Sequence, residues 1–142
     1  GMKVVEYNSR FGDPETQVVL PMLKTNLIDI FEAVTDGRLS DIKIEWDDGA
    51  CVCVVLASGG YPSHYEKGKE ITIGDIGDCQ IVHAGTAIKD GKLVTNGGRV
   101  LGVVAKGKTI NEARDKAYAA AKNISWDGMT YRHDIGIKYR EG

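Results

Sequence analysis

Residues 80–105, QIVHAGTAIKDGKLVTNGGRVLGVVA, decide how this chain folds. Three β-rich runs, 80–88, Lys92–Thr95 and 99–105, are separated by glycine turns, and each has strand length and strand composition. Asp90-Gly91 stands between the first two. Both central positions of a type I′ turn need positive φ, so this dipeptide predicts a tight hairpin. The same texture runs back to Ser40, with further strands predicted at 42–46, Ala50–Ser58 and 70–73. Downstream, Thr109-Ile110-Asn111-Glu112 matches a capping box and opens an alanine-rich helix over 110–122. Its Ala113, Ala117 and Ala121, with Ile110 and Ile124, form a small-residue face suited to close packing on a sheet. The tail, 126–142, reads as turns and then one last strand.

Upstream of residue 40 the pattern changes. A short strand is predicted at 3–9, ending where Phe11-Gly12-Asp13-Pro14 signals a turn. Asp13 suits a helix N-cap, Pro14 the first helical position and Glu15 the first turn, with Pro21 ending or kinking that helix. A second helix fits 26–36, where Leu27, Ile28, Ile30, Phe31 and Val34 share one face and Gly37 supplies the stop. One strand and two helices are too little to close a core, so the first 40 residues read as the end of a larger domain, and 41–142 as a second, β-rich domain. An apolar patch is expected where Val4, Val5 and the two helices would meet the rest of that larger domain. The fold class is α+β.

The composition is that of a soluble globular protein: 142 residues, 42% hydrophobic and 27% charged. A net charge of −2, with basic residues dispersed, offers no footprint for a nucleic-acid backbone or an anionic membrane. The longest apolar run, around Val52 to Ala57, is far too short to cross a bilayer, and GMKVVEYN lacks a signal-peptide core, so a cytoplasmic location is expected. Cys51, Cys53 and Cys79 are odd in number, with Cys51 and Cys53 on one side of one strand. They suggest reduced thiols, not a disulfide framework or a zinc site. His64, His83 and His133 show no metal spacing, and no Ser-His-Asp or Cys-His arrangement is recognisable.

The chemistry concentrates at the front. On a strand, Glu6, Asn8 and Arg10 share a face. A carboxylate and an amide oxygen about 7 Å apart on one side are hard ligands suited to Mg²⁺, and Arg10 beyond them can reach a phosphate oxygen. A solvated edge strand with alternating polar residues fits the same spacing. Further on, Gly97-Gly98-Arg99 combines backbone that permits close approach with a guanidinium able to pair with phosphate, although a glycine bulge leading into a strand explains it equally. Gly59-Gly60-Tyr61-Pro62 lacks the ending of a phosphate-binding P-loop and reads as a turn after a buried strand.

The continuous run Glu6-Tyr7-Asn8-Ser9-Arg10-Phe11-Gly12-Asp13-Pro14-Glu15 resembles the end of the ATP-grasp domain of the phosphoribosylamine–glycine ligases, also called glycinamide ribonucleotide synthetases. The resemblance continues through Glu45-Trp46-Asp47-Asp48, Val54 to Pro62, His83-Ala84-Gly85-Thr86, Thr95 to Leu101 and Trp126-Asp127-Gly128, landmarks of that family's C-terminal domain in family order. It implies the end of an ATP-grasp domain over 1–40, followed by a mainly antiparallel, partly barrel-like sheet with one long helix over 41–142. It also implies Mg²⁺ or Mn²⁺ on Glu6 and Asn8, Arg10 near the transferred phosphate of ATP or the substrate, Asp13 facing the amine substrates, and Arg99 at the ribose phosphate. Arg10 and Asp13 would be the catalytic pair. The implied reaction joins glycine to 5-phosphoribosylamine with ATP in purine biosynthesis. The N-terminal and most of the ATP-grasp portion of such an enzyme are not in this sequence, so the chain alone is expected to be inactive. The competing reading is a non-catalytic binding or assembly module of hybrid-motif type.

Overall fold

The computed structural model describes residues 1–137. The last part of the predicted tail, up to Gly142, lies outside them. In chain order the elements are α1 (Thr16–Val19), α2 (Leu27–Thr35), β1 (Ala50–Ser58), β2 (Thr72–Ile73), β3 (Gln80–His83), β4 (Thr86–Lys89), β5 (Lys92–Thr95), β6 (Arg99–Gly107), α3 (Ile110–Ala121), β7 (Ile124–Ser125) and β8 (Met129–Thr130). Single 3₁₀ turns stand at Leu20–Met22 and Leu39–Asp41.

The main sheet is antiparallel in the order β3-β6-β1-β8, with separate two-stranded sheets β2-β7 and β4-β5. No closed barrel forms among the described residues. Every second residue of β1 points to one face, and its cross-strand partners follow: Val52, Val54 and Leu56 stand opposite Ala105, Val103 and Leu101. These residues form the core together with the buried alanines of α3, Ala113, Ala117, Ala120 and Ala121. Small side chains let the helix axis come close. A Cβ on Gly107 would stand 2.6 Å from the Ala113 backbone nitrogen, so β6 must end in glycine for α3 to turn back onto the sheet. Thr109 caps α3 by accepting from the Glu112 N–H, but the Glu112 carboxylate accepts from the Lys108 N–H and not from that of Thr109.

β1, β5 and the Asp90-Gly91 turn form as the sequence predicts, with φ of 51° and 76° in the turn. β6 fills the predicted 99–105 and runs on to Gly107, whereas the remaining predicted strands depart from expectation. The run 80–88 breaks at Ala84-Gly85, because the Gly85 N–H is drawn to the Arg99 carbonyl and its carbonyl to the Asn96 N–H, which sends β4 off as a separate hairpin. Residues 42–46 keep only a bridge from Trp46 to Leu23, since Thr25 and Lys24 take up the Glu45 backbone groups. Of 70–73 only Thr72–Ile73 pairs as a strand, with Glu70 bridging Val94. No strand forms over 3–9; alternation alone cannot hold one, and nothing among the described residues pairs with it.

The first 40 residues have little core. The helix predicted from Asp13 starts at Thr16, because the Asp13 side chain is engaged elsewhere and the Gly12 carbonyl takes both the N–H and the hydroxyl of Thr16. It tightens at Pro21 into a 3₁₀ turn, as the missing N–H requires. α2 is capped by the Asn26 side chain and stopped at Gly37, φ 68°, yet Ile28, Phe31 and Val34 on its apolar face are more than half exposed. Val4, Val5 and Tyr7 are likewise exposed.

Several surface carboxylates are paired with lysines or backbone N–H groups of the β-rich segment. Asp47 is held below the ordinary aspartate value of 3.8 chiefly by its hydrogen bond from Lys106 at 2.8 Å. Lys116 does the same for Asp78, and Lys69 for Glu66. The Lys108 N–H holds the Glu112 carboxyl down. A group lowered on folding stabilises the native state above its unfolded value and loses that contribution as pH falls through its folded one. Thermal melts should therefore show stability falling once pH drops below the ordinary values of 3.8 for aspartate and 4.5 for glutamate. Lys69 and Lys116 are raised above 10.5, so their contribution is complete below that pH and is lost above it. A melting temperature that rises on acidification would contradict these assignments.

Candidate functional site

The site is built where β1 ends and β6 begins. Ser58 closes β1 against the turn before β6: its N–H donates to the Gly98 carbonyl at 2.8 Å and its hydroxyl to the Gly97 carbonyl at 2.8 Å. Gly97 lies backbone to backbone on Gly85, and the Tyr61 ring lies on Gly98 where any Cβ would collide. A register shift between Leu56 and Ala57 then sets Arg99 opposite Ala57, on the face away from α3. The turn with Gly60 at φ 91° follows β1 as the sequence predicts.

From that face Arg99 reaches back across 86 residues of sequence. Its Nη1 donates to the Asp13 carbonyl at 2.9 Å, and its Nη2 lies 3.1 Å from Asp13 Oδ2. Asp13 Oδ1 accepts from Gln17 Nε2 at 2.8 Å. Asn8 Nδ2 donates to Glu6 Oε1 at 3.1 Å, so the two side chains meet without a strand to align them. Arg10 Nη1 donates to the Phe11 carbonyl at 2.9 Å. All five residues singled out from the sequence, Glu6, Asn8, Arg10, Asp13 and Arg99, line one polar cleft of about 350 Å³, with Glu15. The donor set suits a hard cation beside phosphate: carboxylate and amide oxygens at Glu6 and Asn8, and a guanidinium nearby at Arg10.

Behind Arg99 a second pocket, about 440 Å³, has an apolar floor of Cys53, Val55 and Ala57, with Tyr61 and Arg132 at its sides. Neither of those two side residues was signalled by its sequence neighbourhood; Tyr61 sits in a turn and Arg132 in the tail. Burial pushes the Cys53 thiol up to about 11, and burial also raises that of Cys51, so both are neutral thiols at physiological pH. His83 lies outside the cleft, with Nδ1 3.1 Å from the Thr86 hydroxyl. Among the described residues no three His, Cys, Asp or Glu side chains are grouped as a metal centre, and no helix is long and apolar enough to cross a membrane.

Fold and cleft together define a mixed α/β domain of antiparallel sheets backed by one long helix, with a polar cleft on the face that the helix leaves open. Residues 51–138 match the family model described as phosphoribosylglycinamide synthetase, C domain. The chain belongs to that family. It is 51% identical over 140 residues to the phosphoribosylamine–glycine ligase of Caldanaerobacter subterraneus, a match covering 98% of this chain and 34% of the relative. With the Synechocystis ligase it shares 50% identity over 141 residues, 96% of this chain and 34% of that one. The crystal structure of the Thermotoga maritima phosphoribosylamine–glycine ligase superposes with a TM-score of 0.74 at 45% identity, covering 92% of this chain and 32% of that one. The chain thus spans about a third of the length of the relatives it matches.

Proposed function

We propose that this chain is the C-terminal part of an ATP-dependent carbon–nitrogen ligase that joins glycine to 5-phosphoribosylamine, giving glycinamide ribonucleotide, ADP and phosphate in cytoplasmic purine biosynthesis. Residues 1–40 would end an ATP-grasp domain, and 41–142 would form the C-terminal domain. The observation that carries the reading is the meeting of Glu6, Asn8, Arg10, Asp13 and Arg99 in one cleft, drawn from both segments. The relatives' names support it and do not favour a non-catalytic assembly module.

In this reading Glu6 and Asn8 hold Mg²⁺ or Mn²⁺. When bound, the ion offsets charge on the phosphates of ATP. Arg10 keeps N–H groups beyond the one spent on Phe11 and directs them to the transferred phosphoryl group. A glycine carboxylate oxygen takes the γ-phosphoryl, ADP leaves, and the amine of phosphoribosylamine attacks the carbonyl carbon to expel phosphate. Asp13 presents a carboxylate to an amine substrate, and the N–H groups of Arg99 not used on Asp13 serve the ribose phosphate. An acyl phosphate needs shelter from water. The open cleft of this chain gives none, so the remaining two thirds of the enzyme must supply the cover, and turnover requires them. ADP formation that depends on both glycine and phosphoribosylamine, measured on the gene product extended upstream to its own start, tests the reading.

A further inference from the structure

Both oxygens of the Asp13 carboxylate are engaged, by side chains from different modules. Gln17, four residues on in α1, donates Nε2 to Oδ1, while Arg99 at the head of β6 lies against Oδ2 and also donates to the Asp13 carbonyl. The Gln17 side chain gives something up to do this. Its Oε1 is buried without a partner, an unfavourable arrangement for a polar atom. Turning the amide over would set its oxygen against the carboxylate, which is worse, so the carboxylate fixes the amide's orientation. Arg99 is fixed in turn, because its backbone carbonyl accepts the Gly85 N–H at 2.9 Å and its strand position is set by the Gly85–Gly97 contact.

We infer that Gln17 and Arg99 are positioning residues for Asp13, and that the pair makes its carboxylate a rigid acceptor for the ammonium or amine group of a substrate. With Gln17 Nε2 donating to Oδ1 and the Arg99 guanidinium 3.1 Å from Oδ2, each oxygen retains a further acceptor direction, and Asp13 lines the cleft. Both neighbours present N–H groups to it, so the carboxylate meets the substrate as an acceptor. A carboxylate free to rotate would lose orientation at the moment the amine must be aligned. The inference rests on the ligase reading and adds Gln17 to its site.

The test uses the extended enzyme with Gln17→Leu, Arg99→Lys, Asp13→Ala and the double variant Asp13→Ala/Gln17→Leu. Gln17→Leu should raise the KM of one amine substrate by about tenfold, the worth of a hydrogen bond to a charged group. The KM for ATP should stay unchanged. In the Asp13→Ala background the same change should have no further effect. Arg99→Lys, which keeps the charge but cannot span the Asp13 carbonyl and Oδ2 at once, should retain part of the activity. Losses that multiply in the double variant, or a KM for ATP that rises in parallel, would overturn the positioning role while leaving the ligase reading intact. An unmodified extended protein that forms no ADP would instead remove the reading on which the inference rests. Because Gln17 is half-buried at the surface, melting curves of all variants separate misfolding from lost positioning. A Gln17→Leu variant that melts normally yet keeps the parent KM for both amines also overturns it.

Discussion

Glu6→Ala in the complete enzyme is expected to lower ATP-dependent turnover by about 10³-fold or more while leaving the fold untouched. Glu6 is exposed, and its single described contact is the hydrogen bond from Asn8, so its removal takes nothing from the core. Its loss takes one of the two side chains assigned to the cation, and a single amide oxygen holds Mg²⁺ poorly. Steady-state rates with Mg²⁺ in excess, set beside melting curves, check this. Near-normal turnover would exclude Glu6 as a metal ligand.

A large stability effect should come from a residue with no side chain at all. In Gly85→Ala the new Cβ would lie 2.6 Å from the Arg99 carbonyl oxygen and 2.6 Å from Gly97 Cα. Both are backbone atoms, so no rotamer change relieves the clash, and the contact between the β3–β4 turn and the start of β6 must open. A loss of about 3 kcal/mol is expected, or roughly 10 °C in melting temperature for a domain of this size. Gly68→Ala is the internal comparison. Gly68 has φ 79° but nothing within 4 Å of a Cβ, so only the backbone preference is lost, at about 1 kcal/mol. Equal losses for the two variants would show that the Gly85–Gly97 contact does not hold the turn. Gly85→Ala should also weaken the hold of Arg99 on Asp13, which links a glycine of the sheet to the chemistry of the cleft.

Elements whose signals are local were legible in the sequence. The Asp90-Gly91 turn needs only two residues with positive φ, α3 needs its cap and its alanines, and β1 is long enough to define itself. The break at Gly85 was not legible, because it depends on a glycine twelve positions later coming to lie against it. Residues 3–9 show the opposite failure: the alternation is present, but a strand exists only when paired. At the site, the grouping of Glu6 with Asn8 follows from their spacing and survives without the strand. The joining of Asp13 to Arg99 could not be read, since 86 residues of fold must be built before the two meet. Asp13 also illustrates how one local pattern supports two roles. It has the chemistry of a helix cap, and the arrival of Arg99 and Gln17 decides against that use.

The most direct test of the central claim is ADP formation from ATP with Mg²⁺, glycine and freshly generated phosphoribosylamine, comparing this chain with its gene product extended upstream to the natural start. The account predicts turnover that needs both amine substrates in the extended protein and none from the chain alone. If the extended protein formed no ADP with both substrates present, the ligase reading would be wrong and the cleft would belong to a different function.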